Sequence, residues 1–255
     1  MENLLCIKGR TIGKGKPLVC VPIMESERKK IIQEAKRLVN LHLDMIEWRV
    51  DAFEGVQSLN AIREVLEELA PIVQDTILVY TFRSKRQGGL VQLDEEQIYD
   101  IHQIAAETDV ADFIDVEFFE SQKPQREIEK LQSMGAHVIA SHHDFEQTPE
   151  RKIIWMLLEQ MRESGADVVK LALMPQSIQD VLDLLEETNV FHENHPEKPL
   201  ITMSMGEKGC ISRVAGEFVG SCVTFGAGEQ ASAPGQLPMG ELERVLDVLH
   251  RAILC

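Results

Sequence analysis

Eight short apolar runs, separated by longer amphipathic stretches, leave this chain few folds to choose from. The runs lie at 18–23, 43–49, 77–83, 112–118, 136–142, 167–173, 199–204 and 221–225. They are rich in Val, Ile and Leu and do not alternate with polar residues, which is the pattern of strands buried on both faces of a parallel sheet. Between them, helical periodicity is read at 27–41, 59–69, 94–107, 124–134, 149–163, 178–187 and 239–253. Asp94-Glu95-Glu96 and Thr148-Pro149-Glu150 provide the acidic or proline starts that helix N-termini favour. The glycine-interrupted stretch 207–219 admits a short helix. This alternation predicts an α/β fold, and the count favours a closed (β/α)8 TIM barrel over an open doubly wound sheet. No linker or composition break divides the sequence, so residues 1–255 are expected to form one barrel domain. The first seventeen residues, with Gly9, Gly13 and Gly15, are expected to form a β-hairpin closing the bottom of the barrel.

Charge narrows the partners. Lys and Arg total 26 against 42 Asp and Glu, a formal net charge of −16. Such a field repels nucleic acid and anionic membrane surfaces, so neither is expected as a partner. An anionic small-molecule substrate would need a local group of arginines to overcome it. No apolar run approaches the ~20 residues that span a bilayer. Met1-Glu2-Asn3-Leu4-Leu5 has neither the basic segment nor the apolar stretch of a signal peptide, and a cytoplasmic location is expected. Cys6, Cys20, Cys210, Cys222 and Cys255 are scattered, odd in number and without a C-x-x-C pair, which reads as reduced thiols rather than a disulfide frame or zinc site.

In barrels, chemistry sits at the C-terminal ends of the strands, and charge interrupts the apolar runs there. The second run ends with Glu47 and Arg49, the third with Arg83, the fourth with Glu117, and the fifth with His142 and, just beyond it, His143. Lys170 stands inside Asp-Val-Val-Lys-Leu-Ala-Leu-Met. Burial disfavours the charged amine, and a neutral amine can form an imine with a carbonyl. The alternative is a lysine that snorkels to water or pairs with a carboxylate. His143 is a candidate general acid-base. A loop histidine, or a metal site using His142, His143 and Asp144, are the alternatives. The metal reading is disfavoured because consecutive strand residues face opposite sides. Arg49, Arg83 and Arg213 are candidate anion clamps, since guanidinium matches carboxylate geometry; singly, each reads equally as a structural ion pair. Glu47 suits orienting an arginine or binding a hydroxyl, and Glu117 suits packing or ion pairing. The glycine-rich stretch 226–236 lacks a P-loop lysine and the G-x-G-x-x-G spacing. It reads as a mobile lid bearing Ser232 and Gln236, or as a merely flexible loop.

With those residues in view, the chain resembles the type I 3-dehydroquinate dehydratases over nearly its whole length. The resemblance is carried by Glu47-Trp48-Arg49-Val50-Asp51, Thr81-Phe82-Arg83-Ser84 with Gly88-Gly89, and Ile114-Asp115-Val116-Glu117. It continues in Ser141-His142-His143-Asp144-Phe145, Lys170-Leu171-Ala172-Leu173-Met174-Pro175, Thr202-Met203-Ser204-Met205, Ser212-Arg213 and Ser232-Ala233-Pro234-Gly235-Gln236. The resemblance implies syn elimination of water from 3-dehydroquinate, with Lys170 forming an iminium at the C3 ketone. His143 would take the C2 proton and return one to the departing C1 hydroxyl. Arg213 would hold the substrate carboxylate, while Arg83, Arg49, Glu47, Ser232 and Gln236 grip carboxylate and hydroxyls. Phe145, Met203 and Met205 would form an apolar wall. No metal or organic cofactor is implied, and a homodimer is. The family usually reads Arg-Ser-x-x-Glu-Gly-Gly, its glutamate contacting the catalytic histidine; here Gln87 holds that place. His142 likewise replaces a common asparagine. The rivals are a class I lysine-imine aldolase and a weakly active homologue binding quinate-like acids, the latter recommended by Gln87 alone.

Overall fold

A computed structural model describes residues 5–228 and 232–254. A short hairpin comes first, β1 (Leu5–Ile7) paired antiparallel with β2 (Arg10–Ile12). Eight parallel strands follow: β3 (Leu18–Ile23), β4 (Met45–Arg49), β5 (Ile77–Thr81), β6 (Phe113–Glu117), β7 (His137–Asp144), β8 (Val168–Leu173), β9 (Leu200–Ser204) and β10 (Val223–Phe225). Each pairs with the next from β3 to β9, and β10 pairs back onto β3. The barrel closes between β9 and β10, where Leu200 bridges Ser221 and Cys222 N donates to Leu200 O at 2.8 Å.

Helices α1 (Arg28–Val39), α2 (Leu59–Leu69), α3 (Glu95–Thr108), α4 (Pro124–Ser133), α5 (Arg151–Glu163), α6 (Ile178–Asn194), α7 (Gly216–Val219) and α8 (Met239–Ile253) connect the strands or complete the ring. Their starts follow the chemistry of unsatisfied N-terminal amides. Asp94 and Gln97 form a reciprocal capping box, as do Ser177 and Asp180, and Pro124 occupies the first turn of α4. A 3-10 turn at Glu207–Arg213 and the one-turn α7 stand where a short helix was expected.

Two apolar layers follow from strand parity. Outward residues such as Ile46, Trp48, Leu78, Tyr80, Ile114, Val169 and Leu171 pack against the helices. Inward residues at the strand starts, Cys20, Met45, Ile77, Phe113, Ile139, Val168, Ile201 and Val223, fill the lower barrel together with Ile7 and Ile12 of the hairpin. The hairpin therefore closes the N-terminal end of the barrel. Lys8, at the turn with φ +47°, secures it by donating from Nζ to Val73 O, Thr76 O and Asp112 Oδ2 at 2.8, 3.1 and 2.6 Å.

Several boundaries differ from the sequence reading, each for a local reason. β7 continues through His143 and Asp144 because pairing with β8 persists to Asp144–Leu173, so His143 lies in the strand and not beyond it. β5 stops at Thr81, and Arg83 lies past its end, because the amides of Arg83 and Ser84 donate to the Asp51 and Glu117 carboxylates instead of to a neighbouring strand. β4 begins at Met45 rather than 43. α6 runs on to Asn194, seven residues past the expected end, where buried Phe191 packs against Trp155.

Candidate active site

Above the apolar lower layer, the inward positions turn ionic. β8 presents Lys170 to the barrel axis with 3% exposure. Its Nζ lies 3.1 Å from Asp115 Oδ2 on β6, 3.5 Å from Glu47 Oε1 on β4 and 4.5 Å from the centre of the Phe225 ring. Glu47 also accepts from Thr81 Oγ1 at 2.9 Å. Asp115 is wholly buried and accepts from Ser141 Oγ at 2.5 Å, while its Oδ1 lies 2.9 Å from an Arg83 nitrogen. Burial alone would raise its proton affinity; Arg83, Lys170, His143 and the Ser141 hydroxyl outweigh that and hold its carboxyl well below the usual carboxylate range.

His143 stands on β7, next to the lysine strand and level with Ala172. Gln87 fixes its ring. Gln87 Oε1 accepts from His143 N at 2.8 Å and lies 3.1 Å from His143 Nδ1. A backbone amide only donates, so the Gln87 atom there must be the oxygen, and Nδ1 must then carry the hydrogen. That leaves Nε2 with its lone pair as the basic nitrogen. Dense surroundings push the imidazole well below its ordinary range even though its edge stays partly exposed, with Arg83 and Lys170 adding to the effect. Gln87 is 2% exposed and its Nε2 finds no hydrogen-bond partner among the described residues. His142 faces the other way, its ring 5.1 Å from that of Phe119, so the two histidines do not meet at one ion.

The three candidate arginines are not equivalent. Arg49 is chelated by Asp51 at 2.7 and 2.8 Å. Arg83 is held by Glu117 and Ser141 at 3.0 and 3.1 Å and by Asp115; burial opposes its charge, but these carboxylates and Glu47 raise its pKa further above the ordinary guanidinium value. Arg213, by contrast, has no carboxylate partner among the described residues. It is 1% exposed and donates to Phe225 O and Pro234 O at 3.3 and 3.0 Å, while its Nε has no partner among the described residues. Burial brings its pKa down to about 10. Its backbone is pinned by Thr224 Oγ1, which donates to Arg213 O at 2.8 Å, and Ser212 Oγ ties the same turn to Ser204 N at 2.9 Å.

A cavity of about 50 Å³ opens between Lys170, His143, Gln87, Arg49, Arg83 and Glu47. Phe145, Met203, Met205 and Phe225 give it apolar walls, and Ser232 and Gln236 roof it. That is room for a few waters beneath the seated roof. The roof is built to seat closely. Pro234 O accepts from Gly206 N at 3.1 Å, and a Cβ on Gly235 (φ +78°) would lie 2.2 Å from Gly206 O. Residues 229–231 of the expected lid lie outside the described residues. Arg213 does not line the cavity; it stands behind Met203 and Phe225, covered by the Pro234 carbonyl. A larger groove of about 620 Å³ runs along α3 and α4, lined by surface residues such as Glu96 and Arg126 and by the buried Glu127.

Asp115 is the residue that the sequence reading passed over. It lay inside a quoted motif, yet Glu117 drew attention because it ends the run. The available signal was a carboxylate two positions earlier, on the same inward face of a buried strand. Asp51, likewise quoted only within a motif, chelates Arg49.

The fold and the site define a (β/α)8-barrel enzyme with a buried amine and an imidazole on adjacent strands at its C-terminal rim. The family model described as Type I 3-dehydroquinase matches residues 19–253. The 3-dehydroquinate dehydratase of Clostridioides difficile is 42% identical over 254 residues, covering 99% of this chain and 100% of that protein. The Bacillus subtilis 3-dehydroquinate dehydratase is 39% identical over 250 residues, 98% of each. A crystal structure of the Clostridium difficile type I enzyme with covalently modified comenic acid superposes with TM-score 0.94, covering 99% of this chain and 100% of that one at 42% identity. The Enterococcus faecalis 3-dehydroquinate dehydratase gives TM-score 0.89 at 31% identity, covering 96% and 98%. This chain belongs to the type I 3-dehydroquinase family.

Proposed function

We propose that this chain dehydrates 3-dehydroquinate to 3-dehydroshikimate, a hydro-lyase step of the shikimate pathway, through an imine on Lys170. The observation that carries the reading is one cavity lined by both Lys170 Nζ and the ring of His143. Lys170 must first shed a proton. Asp115, held ionised by Arg83, is the poorer acceptor, which leaves Glu47 Oε1, 3.5 Å away, as the better one. Nζ then adds to the C3 ketone, and the carbinolamine hydroxyl leaves as water with the proton that Glu47 took up, giving the iminium, which restores the positive charge Lys170 began with. Asp115 and Glu47 are already placed to stabilise that charge, so no reorganisation is needed as it forms.

The iminium draws electrons from the adjacent carbon, and His143 Nε2 takes the C2 proton. The resulting enamine expels the C1 hydroxyl as water, using the proton that His143 returns. Water then hydrolyses the product imine and frees Lys170. Gln87, through its oxygen, keeps the lone pair on Nε2 throughout. Arg213 is the carboxylate receptor. Opening of the 232–236 roof removes the Pro234 carbonyl from its guanidinium and exposes an unneutralised cation. Arg49 and Arg83, already paired, position Asp51, Asp115 and Glu117 and present their remaining N–H groups to hydroxyls. Assembly as a homodimer, cytoplasmic residence and a single cooperative barrel over residues 1–255 belong to the same proposal; light scattering and one unfolding transition test the first and third.

Borohydride reduction in the presence of 3-dehydroquinate, read by peptide mass spectrometry, should place the reduced adduct on Lys170. Ultraviolet absorbance should report the enone product in the unreduced reaction. Turnover without a trappable adduct would remove the imine. An adduct without enone would leave a quinate-like binder whose acid-base partner fails.

A further inference from the structure

Lys170 and Ala172 share the inward face of β8, about 6.6 Å apart along the strand. Ala172 therefore occupies the next layer towards the rim. Pairing sets its neighbours there. It is level with His143 on β7 and with Met203 on β9, whose backbones run about 4.8 Å to either side. The other described strand residues that line the cavity, Glu47, Arg49, His143, Lys170, Met203 and Phe225, all reach well past Cβ. Ala172 stops at a methyl and is wholly buried. The fold does not ask for so small a residue. Strands favour β-branched side chains, and β8 carries two, Val168 and Val169, below the lysine. Nor does a helix press on it, since Ala172 packs with the barrel interior.

What the methyl leaves open is the space between the His143 ring and Lys170 Nζ. An amine that adds to a carbonyl builds a tetrahedral carbon. An aldehyde brings one carbon substituent to that centre. A ketone brings two, and in a ring they are tied together and cannot fold away. Around Nζ itself the space is taken: Asp115 and Glu47 lie 3.1 and 3.5 Å away, and the Phe225 ring centre 4.5 Å. The body of a ring ketone must therefore extend towards the rim, past residue 172. The residues flanking that passage have little room to yield. Gln87 holds His143 at two atoms, 2.8 and 3.1 Å away, and Met203 Sδ lies 3.9 Å from an Arg213 nitrogen. We propose that Ala172 is a specificity-determining residue, the gap that admits a cyclic ketone to Lys170, and that a larger side chain there confines the site to small aldehydes. The inference rests on the imine reading of Lys170 given above.

The test uses the full chain with 3-dehydroquinate and with glyoxylate, a two-carbon aldehyde, as the small probe. Ala172→Val adds two methyl groups while suiting a strand. Its kcat/KM for 3-dehydroquinate should fall by about 10²-fold or more, as for a displaced reacting centre. Borohydride trapping, read by peptide mass spectrometry, should show the glyoxylate adduct on Lys170 undiminished. Ala172→Cys adds a single heavy atom and should lie between alanine and valine, which keeps the test decisive if the valine protein does not fold. Undiminished kcat/KM in a folded variant would overturn the proposal. So would parallel loss of both adducts, which would place the effect on Lys170 and not on the passage. A glyoxylate adduct on Lys170 with no 3-dehydroquinate adduct, both in the unsubstituted chain, would instead defeat the proposed reaction, and this inference with it. No glyoxylate adduct on Lys170 in that chain would overturn the passage alone, because a gap that admits a ring must admit a smaller carbonyl.

Discussion

Gln87→Glu is the substitution whose effect can be worked through most fully. The new carboxylate oxygen would take the place of Gln87 Oε1, 2.8 Å from His143 N and 3.1 Å from Nδ1. Opposite unit charges 3.1 Å apart attract by about 5 kcal/mol at an effective dielectric of about 20. Desolvating a carboxylate where Gln87 is 2% exposed takes back several kcal/mol. The second oxygen adds to that cost, because Gln87 Nε2 has no partner among the described residues for it to inherit. The net is a rise of roughly 1–3 units in the His143 pKa, the usual effect of one nearby opposite charge. The sign follows from the mechanism. In the proposed mechanism His143 works as a base when neutral, and burial now holds its pKa well below the ordinary range. Raising its pKa moves the acidic limb of kcat/KM to higher pH by the same amount, since that limb reports the free enzyme. Above the limb, the raised pKa makes neutral His143 a stronger base towards the C2 proton, so kcat should rise. Initial rates of enone formation across the acidic and neutral range measure both. A folded variant of unchanged stability whose acidic limb does not move would refute the electrostatic reasoning.

Three further outcomes follow from the same geometry. Arg213→Met removes a buried cation that has no carboxylate partner among the described residues; it should leave the melting temperature unchanged or higher while kcat/KM falls by roughly 10²-fold or more, and a fall in both would mean that Arg213 is structural. Asp115→Asn should lower kcat by about 10²–10³. Because Asp115 is held below the usual range, its stabilising effect is present above about pH 4 and lost as pH falls through its folded value, so acid-unfolding curves should be shallower in the variant. Gly88→Ala, at φ +87° and with its new Cβ 2.5 Å from the Phe145 ring, should destabilise by about 1–3 kcal/mol in urea melts; an unchanged midpoint would show that Phe145 moves freely.

How much of this was legible depends on which interactions are local. The strands were readable because burial on both faces writes an unbroken apolar run, as in Ile77-Leu78-Val79-Tyr80-Thr81, all five of which are buried. Helix starts were readable where the cap is a sequence-local bond, as between Asp94 and Gln97. Strand ends were not, because the rim is set by long-range contacts: Arg83 leaves β5 for carboxylates on two other strand ends, Asp51 and Glu117. The same holds for the site. Lys170 announced itself as a cation inside an apolar run, and parity alone separated His142 from His143. That Arg49 and Arg83 are neutralised, and Arg213 is not, depends on pairings such as Arg83 with Asp115, 32 positions apart, which periodicity does not encode. The family resemblance already gave the substrate carboxylate to Arg213; the ion pairs of Arg49 and Arg83 supply the physical ground for that ranking.

The ranking has a consequence for how an anion reaches a chain of net charge −16. Two fields act on a substrate carboxylate. The summed surface charge repels it over the approach, and that field is screened beyond about 8 Å at physiological salt. Arg213 attracts it at contact, in a place 1% exposed, where salt screens poorly. Were Arg49 and Arg83 free cations at the mouth, the attraction would be long-ranged and salt would weaken it. They are instead tied to Asp51, Asp115 and Glu117, so the mouth offers little net pull from a distance. Added salt should therefore remove more repulsion than attraction, and kcat/KM should rise with ionic strength while kcat stays flat. Rates in sodium chloride from low to physiological strength decide it. A kcat/KM that falls steadily with salt would mean that the paired arginines still steer the substrate, and that Arg213 is not the principal anion receptor.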